Sequence, residues 1–229
     1  MSETFERQYR EDGFASQRRY PNEALIRFIN STFGSRSMAE RSSCRVLELG
    51  CGSGANLWMI AKEGFDAFGL DTAPTGIELC KQMLNLWGGL QANLVVGDMR
   101  HLPYQDEMFD AIVDVVSMQH VHLEDHVHAY TEAHRCLKRG GHFFQWHVSD
   151  NSTSFKESGG IQIDECTVDD VKNPHVPLHG NGLMCFLNKK KAGTLLTESG
   201  FSNILTEVYG RTYNNGAYIE YLSITAMKE

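Results

Sequence analysis

Long apolar runs are missing from this sequence, and none approaches the roughly 20 residues that a membrane-spanning helix needs. Basic residues are scarce, with 21 Lys and Arg against 29 Asp and Glu, and the net charge of −8 argues against a general nucleic-acid binder. The six cysteines form no CxxC pair, which predicts reduced, buried thiols and not a disulfide framework or a zinc ribbon. The opening segment MSETFERQYREDGF has no apolar stretch typical of a secretory signal. We expect a cytoplasmic protein with neither a membrane nor a nucleic acid as its partner.

Strands and helices alternate along the middle of the chain, and 229 residues with 41% hydrophobic content suit a single domain. The hydrophobic pattern predicts strands at 45–49, 65–70, 93–97, 109–116 and 141–148, and helices at 55–62, 74–87 and 126–138. We expect Gly140-Gly141 to end the third of these helices. Such alternation is typical of the α/β class, with a doubly wound, mostly parallel sheet and right-handed crossovers.

The flanking segments complete one domain over residues 1–229. Residues 1–44 are predicted to form a helical arm, with a helix at 21–30 and a serine-rich connector after it. Residues 149–187 are too long for an ordinary connection, and we interpret them as a lid over the site. Residues 188–229 are predicted to form a last helix and a hairpin around Asn214-Asn215-Gly216, which gives the sheet an antiparallel end and seven strands.

The densest motif is Val-Leu-Glu-Leu-Gly-Cys-Gly-Ser-Gly at 46–54, where a buried strand enters a glycine-rich loop and then a helix. Glycines allow a sharp turn and the close approach of a ligand, and the helix N-terminus offers free N–H groups to an anionic group. With Asp71 ending the next strand, the spacing also fits a dinucleotide-binding enzyme. A short-chain dehydrogenase would need a Tyr-x-x-x-Lys pair, and the sequence contains none.

Further motifs follow the strand ends in order: Gly-Asp-Met-Arg-His-Leu-Pro-Tyr at 97–104, Phe-Asp-Ala-Ile-Val-Asp-Val-Val-Ser-Met-Gln-His-Val at 109–121, and Leu-Lys-Arg-Gly-Gly-His-Phe-Phe at 137–144. Together with residues 48–54 and Asp71, they make residues 45–148 resemble the class I S-adenosylmethionine-dependent methyltransferases. The small-molecule branch of the ubiquinone-biosynthesis type is the most similar. This resemblance implies a cofactor-binding core over 45–148 and S-adenosylmethionine as the cofactor.

The same resemblance assigns the methionine end of the cofactor to the glycine loop. It implies that Glu48 lies under the amino group and that Gly50, Cys51 and Gly52 line the loop at the carboxylate. In that family the N-terminal region closes over the cofactor, which implies a contact between Tyr20 and the carboxylate.

The nucleoside end is assigned to the next two strand ends. By the same resemblance, Asp71 binds the ribose hydroxyls with Thr72 beside it, Asp98 faces the adenine amino group, and Met99 packs on the ring. Each of these residues also has a purely structural interpretation. Acids at strand ends often cap the following helix, and Met99 could pack in the hydrophobic core.

The reacting centre is expected at the carboxyl edge of the fourth and fifth strands. The resemblance implies that Val115 and Val116 contact the sulfonium, and His120 and His147 are the candidate bases at this edge because the histidine pKa lies near working pH. We therefore predict O-methylation of a small molecule. Transfer to nitrogen, methylation of tRNA or protein, and a non-catalytic cofactor-binding subunit are the alternatives.

The sequence suggests two metal sites, and neither is favoured. His122 and His126 would share one face of a helix, but no further ligand at standard spacing completes a zinc site. Asp114 with Asp150-Asn151 would offer oxygen ligands to Mg²⁺, as in catechol-type methyltransferases, although Asp114 comes early in its strand for that role.

Overall fold

The fold comes from a computed structural model that describes residues 2–214 and 216–229, with side chains from Thr4 onward. The helices of this described part are α1 (Ser2–Asp12), α2 (Glu23–Phe33), α3 (Met38–Arg41), α4 (Leu57–Lys62), α5 (Pro74–Leu86), α6 (Leu123–Cys136), α7 (Thr153–Lys156) and α8 (Lys189–Glu198). Its strands are β1 (Arg45–Leu49), β2 (Asp66–Asp71), β3 (Asn93–Val96), β4 (Phe109–Val115), β5 (Leu137–Val148), β6 (Thr167–Val168), β7 (Met184–Cys185), β8 (Ser202–Thr212) and β9 (Tyr218–Met227).

Seven strands form one sheet in the order β3-β2-β1-β4-β5-β9-β8. The strands from β1 to β5 pair in parallel, whereas β9 runs antiparallel to both β5 and β8. The predicted α/β class, the doubly wound sheet and its antiparallel C-terminal pair are therefore confirmed. Because the parallel strands share one direction, their carboxyl ends meet at a single edge, where ligands bind in this class of fold.

Both faces of the central strands are covered, which explains their nearly continuous apolar sequences. Along β1, Val46 packs into one hydrophobic cluster and Leu47 into another on the opposite face. In β5, Phe144 packs in the same cluster as Val46, and Phe143 packs in the same cluster as Leu47. All six cysteines are buried as free thiols.

The predicted boundaries around α6 need correction. This helix begins at Leu123 and not at His126, and it passes directly into β5 without stopping at Gly140-Gly141. The glycine pair lies inside β5, where the pairing with β4 shifts from Phe109–Leu137 to Ala111–His142. It therefore supplies a bulge in the strand and does not end the helix.

The N-terminal arm is tied to the rest of the domain by α1. The Glu6 carboxylate accepts hydrogen bonds from the backbone N–H and the hydroxyl of Thr75, at 3.0 and 2.7 Å, at the start of α5. The predicted serine-rich connector contains the short helix α3, which Ser37 and Glu40 stabilise through a capping box. Among the described helices, none is both long and apolar enough to cross a membrane.

Candidate active site

A cleft opens at the carboxyl edge of the sheet and holds about 600 Å³ of space, part of it open to solvent. The loops after β1, β2, β3 and β4 form its floor, and the N-terminal arm forms one wall. Its lining residues are Phe5, Tyr9, Gln17, Gly50, Leu70, Asp71, Thr72, Gly97, Met99, Val115, Val116, Ser117 and His120.

The glycine loop after β1 needs glycine for steric reasons at two positions. Gly50 has a φ of +63°, and a Cβ there would lie 2.2 Å from Cβ of Ser117. A Cβ on Gly52, whose φ is +49°, would lie 2.6 Å from the hydroxyl oxygen of Tyr9. The loop is therefore packed between the turn after β4 and helix α1, with no room for side chains at these positions.

Asp71 ends β2 and holds two neighbouring segments in place. One carboxylate oxygen accepts the N–H of Gly52 and the other accepts the N–H of Ala73, each at 2.8 Å. Burial raises the pKa of Asp71, and these backbone hydrogen bonds act in the opposite direction. The carboxylate also lines the cleft, so it both shapes the loop and faces the ligand space.

Glu48 is buried in β1 beneath the loop. Its Oε1 accepts a 2.6 Å hydrogen bond from the side-chain amide of Asn56, but Oε2 has no partner among the described residues. Burial raises the pKa of this carboxyl to about 8, and the nearby Arg18 guanidinium acts to lower it. An unpaired buried oxygen of this kind is costly unless a donor reaches it.

The loop after β3 brings Asp98 and Met99 to the other end of the cleft. Arg100 grips the Asp98 carboxylate through Nε and Nη2, at 2.7 to 3.1 Å, and holds its pKa below the ordinary value. Asp98 opens onto an adjoining cavity that shares Thr72 and Met99 with the main cleft. The structure thus brings these three predicted residues to one end of the site.

His120 forms the cleft wall beyond the turn after β4, and its surroundings select one tautomer. Nδ1 lies 3.0 Å from the carbonyl oxygen of Leu183 in the insertion, so it must carry the proton and donate. Nε2 is then left with its lone pair, 3.3 Å from the amide nitrogen of Gln119. Burial lowers the pKa of His120 to about 4, so the ring is neutral at neutral pH. The ring of Phe5 packs edge-on against it at 4.7 Å.

Two predicted residues lie away from the cleft, and their expected positions are corrected. Strand alternation places His147 on the face of β5 that α6 covers, where its Nε2 is 3.3 Å from Nε2 of His126. Tyr20 is 66% exposed, and its ring packs edge-on against Trp87 at 6.0 Å. Cys51 and Gly52 belong to the loop itself and support the cleft without lining it.

The cleft also contains residues that the sequence reasoning missed. Phe5, Tyr9 and Gln17 reach it from the N-terminal arm, and Ser117 reaches it from the turn after β4. The only available signal was the aromatic and basic character of the arm, which does not show which ring turns inward. The neighbouring Arg18 lies in the electrostatic field of Glu48, Tyr221, Asp114 and Tyr9.

The residues of the magnesium hypothesis have other partners. Asp114 accepts hydrogen bonds from Ser117 and Met118, Asp150 accepts one from Asn188, and Asn151 donates one to Glu220. In the part of the chain that the structure describes, no group of three or more His, Cys, Asp and Glu side chains is arranged to hold a metal ion.

The buried ring of His147 makes a testable contribution to stability. Burial and the neighbouring His126 lower its pKa to about 3, against 6.5 for an ordinary histidine. Because the unfolded chain takes up this proton first, the contribution is complete above pH 6.5 and is lost as the pH falls towards 3. We expect the stability difference between wild type and H147Q, measured by urea unfolding, to shrink by about 2 kcal/mol between pH 7 and pH 5. A difference that does not change with pH would contradict a neutral ring.

Comparison with known families agrees with this geometry. Residues 46–141 match a family model described as a methyltransferase domain. The match runs from β1 to the bulge in β5 and so contains the loops that form the floor of the cleft. The chain carries a class I S-adenosylmethionine-dependent methyltransferase domain. The likeness of this methyltransferase domain to the ubiquinone-biosynthesis branch stays a prediction.

Two mycobacterial proteins are similar to the methyltransferase domain of this chain. A fatty-acid O-methyltransferase of Mycolicibacterium smegmatis is 34% identical over 125 residues, which are 53% of this chain and 42% of that protein. A phthiotriol/phenolphthiotriol dimycocerosates methyltransferase of Mycobacterium leprae is 31% identical over 125 residues, 53% of this chain and 43% of that protein. These alignments span less than half the length of either relative.

Solved structures share the fold over most of the chain. A S-adenosylmethionine-dependent methyltransferase of Methanosarcina mazei has a TM-score of 0.69 at 22% identity, covering 80% of this chain and 92% of that one. Phosphoethanolamine N-methyltransferase 2 of Haemonchus contortus, in complex with S-adenosylmethionine, has a TM-score of 0.64 at 16% identity, covering 98% of this chain and 56% of that one. At these identities the likeness concerns the fold of the methyltransferase domain.

Proposed function

We propose that the chain transfers a methyl group from S-adenosylmethionine to a hydroxyl oxygen of a small, largely apolar acceptor, with His120 as the base. The observation that carries this proposal is the position of His120 in the wall of the cleft, with Nδ1 donating to the carbonyl of Leu183. Its Nε2 lone pair accepts from the Gln119 amide, a partner that the acceptor hydroxyl would replace.

The cleft fits the cofactor at both ends. The unpaired Oε2 of Glu48, beneath the loop, suits the methionine ammonium, and Gly50 brings the backbone of the loop into the wall of the cleft. Asp71 faces the space for the ribose, and Met99 faces the space for the adenine. When bound, S-adenosylmethionine supplies a methyl group activated by its sulfonium charge.

The methionine carboxylate needs a cationic partner, and Arg18 is a better candidate than Tyr20. Arg18 interacts electrostatically with Glu48 and Tyr9, which supports a position near the methionine end of the cleft. Tyr20 instead packs against Trp87. We assign the carboxylate to Arg18 together with the loop after β1.

The acceptor side of the cleft is mostly apolar. Phe5, Val116 and the ring of His120 form its wall, and Val115 and Val116 lie where the fourth strand ends. A neutral His120 binds a hydroxyl by accepting its hydrogen bond, and it takes the proton as the new carbon–oxygen bond forms. The names of the mycobacterial relatives, which include a fatty-acid O-methyltransferase, support an acceptor with an alkyl chain.

Calorimetric titration with S-adenosylhomocysteine tests the cofactor part of the proposal. We expect micromolar binding that Asp71→Ala weakens at least tenfold, about 1.4 kcal/mol, because the variant loses the ribose contact and both backbone hydrogen bonds. Asp66→Ala is the matched control: Asp66 is half-buried at the opposite end of β2, where it contacts Arg45 and Asn93, and unchanged affinity is expected. A parallel titration with NADH should give no heat, and binding of NADH alone would favour a dehydrogenase.

An acceptor panel tests the chemistry of transfer. The panel uses methyl-labelled S-adenosylmethionine with an alcohol, a carboxylic acid and an amine of the same alkyl chain length. These acceptors differ only in the group that receives the methyl group. We expect label in the methyl ether of the alcohol. Label only in the amine product would show that nitrogen is the accepting atom. Label only in the ester would show that no base is needed, because a carboxylic acid is already deprotonated at neutral pH.

A further inference from the structure

The turn after β4 contains a strained residue that faces the cleft. Val116 has a φ of +62°, a conformation that is unfavourable for a β-branched side chain. The same turn delivers Ser117 and His120 to the cleft wall. Some contact must therefore hold this conformation against its strain.

Asp114, two residues before Val116, makes the contacts that close the turn. Its Oδ1 accepts the backbone N–H groups of Ser117 and Met118, at 3.1 and 3.0 Å, and it also contacts the Ser117 hydroxyl. The backbone N–H of Val116 is bound by the carbonyl of Trp146 at 2.9 Å. The carboxylate thus spans the strained residue from one side to the other.

The other carboxylate oxygen of Asp114 is anchored deep in the domain. Oδ2 accepts a 3.2 Å hydrogen bond from the side-chain amide of Gln145, whose own oxygen accepts a 2.7 Å hydrogen bond from the Tyr130 hydroxyl. Asp114, Gln145 and Tyr130 are all fully buried. A satisfied buried network of this kind is rigid, because each lost bond leaves an unpaired polar group.

The network also touches the glycine loop. The hydroxyl of Ser117 lies 2.7 Å from the carbonyl oxygen of Leu49, and its side chain fills the space where a Cβ of Gly50 would be. A shift of the turn would therefore move the wall under the methyl group and the loop at the methionine end together.

We propose that Asp114 is a positioning residue: its carboxylate holds Val116 in the left-handed conformation and so fixes the turn that shapes the cofactor side of the cleft. The expected effect on cofactor affinity rests on the proposed function. The support that Asp114 gives to the conformation of Val116 does not depend on any reaction. Burial raises the pKa of Asp114 to about 6 while the hydrogen bonds lower it, as expected for a carboxylate kept charged by its partners.

A double-mutant cycle between D114N and V116G tests the mechanical link. Glycine adopts a positive φ without strain, so the turn should need less support in the V116G background. We expect D114N to weaken S-adenosylhomocysteine binding about tenfold with valine at position 116 and less than twofold in the V116G background. Y130F is the matched control, since it removes a buried hydrogen bond of the same network away from the turn. It should lower the urea midpoint and leave affinity unchanged.

Urea unfolding of wild type, D114N, V116G and the double variant tests this inference separately from the proposed function. V116G should recover at least half of the loss in urea midpoint that D114N causes, whether or not the protein binds S-adenosylhomocysteine. If wild type shows no binding but this recovery is seen, only the proposed function fails. An equal decrease in the urea midpoint on D114N substitution in both backgrounds would overturn the inference.

If D114N alone fails to fold, folding of the double variant with V116G supports the inference. The S117A substitution, made in both backgrounds, then gives the same test with a smaller expected effect.

Discussion

Replacing His120 by alanine should lower kcat for a hydroxyl acceptor by about 10²- to 10³-fold, within the usual contribution of a general base. The affinity for S-adenosylhomocysteine should change less than threefold, because His120 is expected to face the acceptor. Calorimetry measures the affinity, and product formation with the alcohol of the acceptor panel measures kcat. The split between the two readouts distinguishes a base from a residue that merely shapes the cofactor site.

His147→Gln is the matched control for this substitution. Both rings are buried at the same edge of the sheet, His120 in the turn after β4 and His147 near the end of β5, but His147 faces α6 and contacts His126. We expect the control to reduce stability at pH 7 and to leave kcat of the folded protein within threefold of wild type. A larger loss of kcat in H147Q than in H120A would reverse the assignment of the base.

The pH profile gives an independent reading of the same residue. With a pKa of about 4, His120 is neutral above pH 5, so its protonation should not reduce the wild-type rate between pH 5.5 and pH 8. A steep fall in rate below pH 7 that H120A abolishes would show that the ring titrates in its ordinary range. That result would contradict the buried, neutral base.

The strand ends of the core could be predicted because the residues that define each end are close together in the sequence. Three of the parallel strands, β1, β2 and β3, are short apolar runs with a glycine or an acid at or just after their ends, as at Gly50, Asp71 and Asp98. Since the carboxyl ends of parallel strands share one edge, placing these residues together needed no knowledge of packing. The same argument brought His120 to the cleft.

Residues whose position depends on a face or on a distant contact were not predictable in this way. His147 is near the correct edge, but which face of β5 it occupies depends on the bulge at 138–141. Phe5 and Tyr9 reach the cleft because α1 packs on α5 through Glu6 and Thr75, a contact between segments 69 residues apart. Neither periodicity nor a motif encodes that contact.

Gly50→Ala should weaken S-adenosylhomocysteine binding more than 100-fold, which is about 2.7 kcal/mol. Two independent costs add at this position. The φ of +63° is unfavourable for any side chain, and the new Cβ would lie 2.2 Å from Cβ of Ser117, an atom one bond from the backbone that cannot simply rotate away. Either the loop or the turn after β4 has to move, and both are expected to hold the cofactor.

Gly193→Ala is the matched control, because a Cβ at this position in α8 would meet nothing within 4 Å. It should leave binding unchanged and raise stability slightly, as alanine favours the helix. Calorimetry and urea unfolding on both variants separate lost affinity from lost folding. If Gly50→Ala folds and binds within tenfold of wild type, the cradle of the glycine loop is not the methionine-binding surface. In that case the unpaired oxygen of Glu48 must be satisfied by another donor.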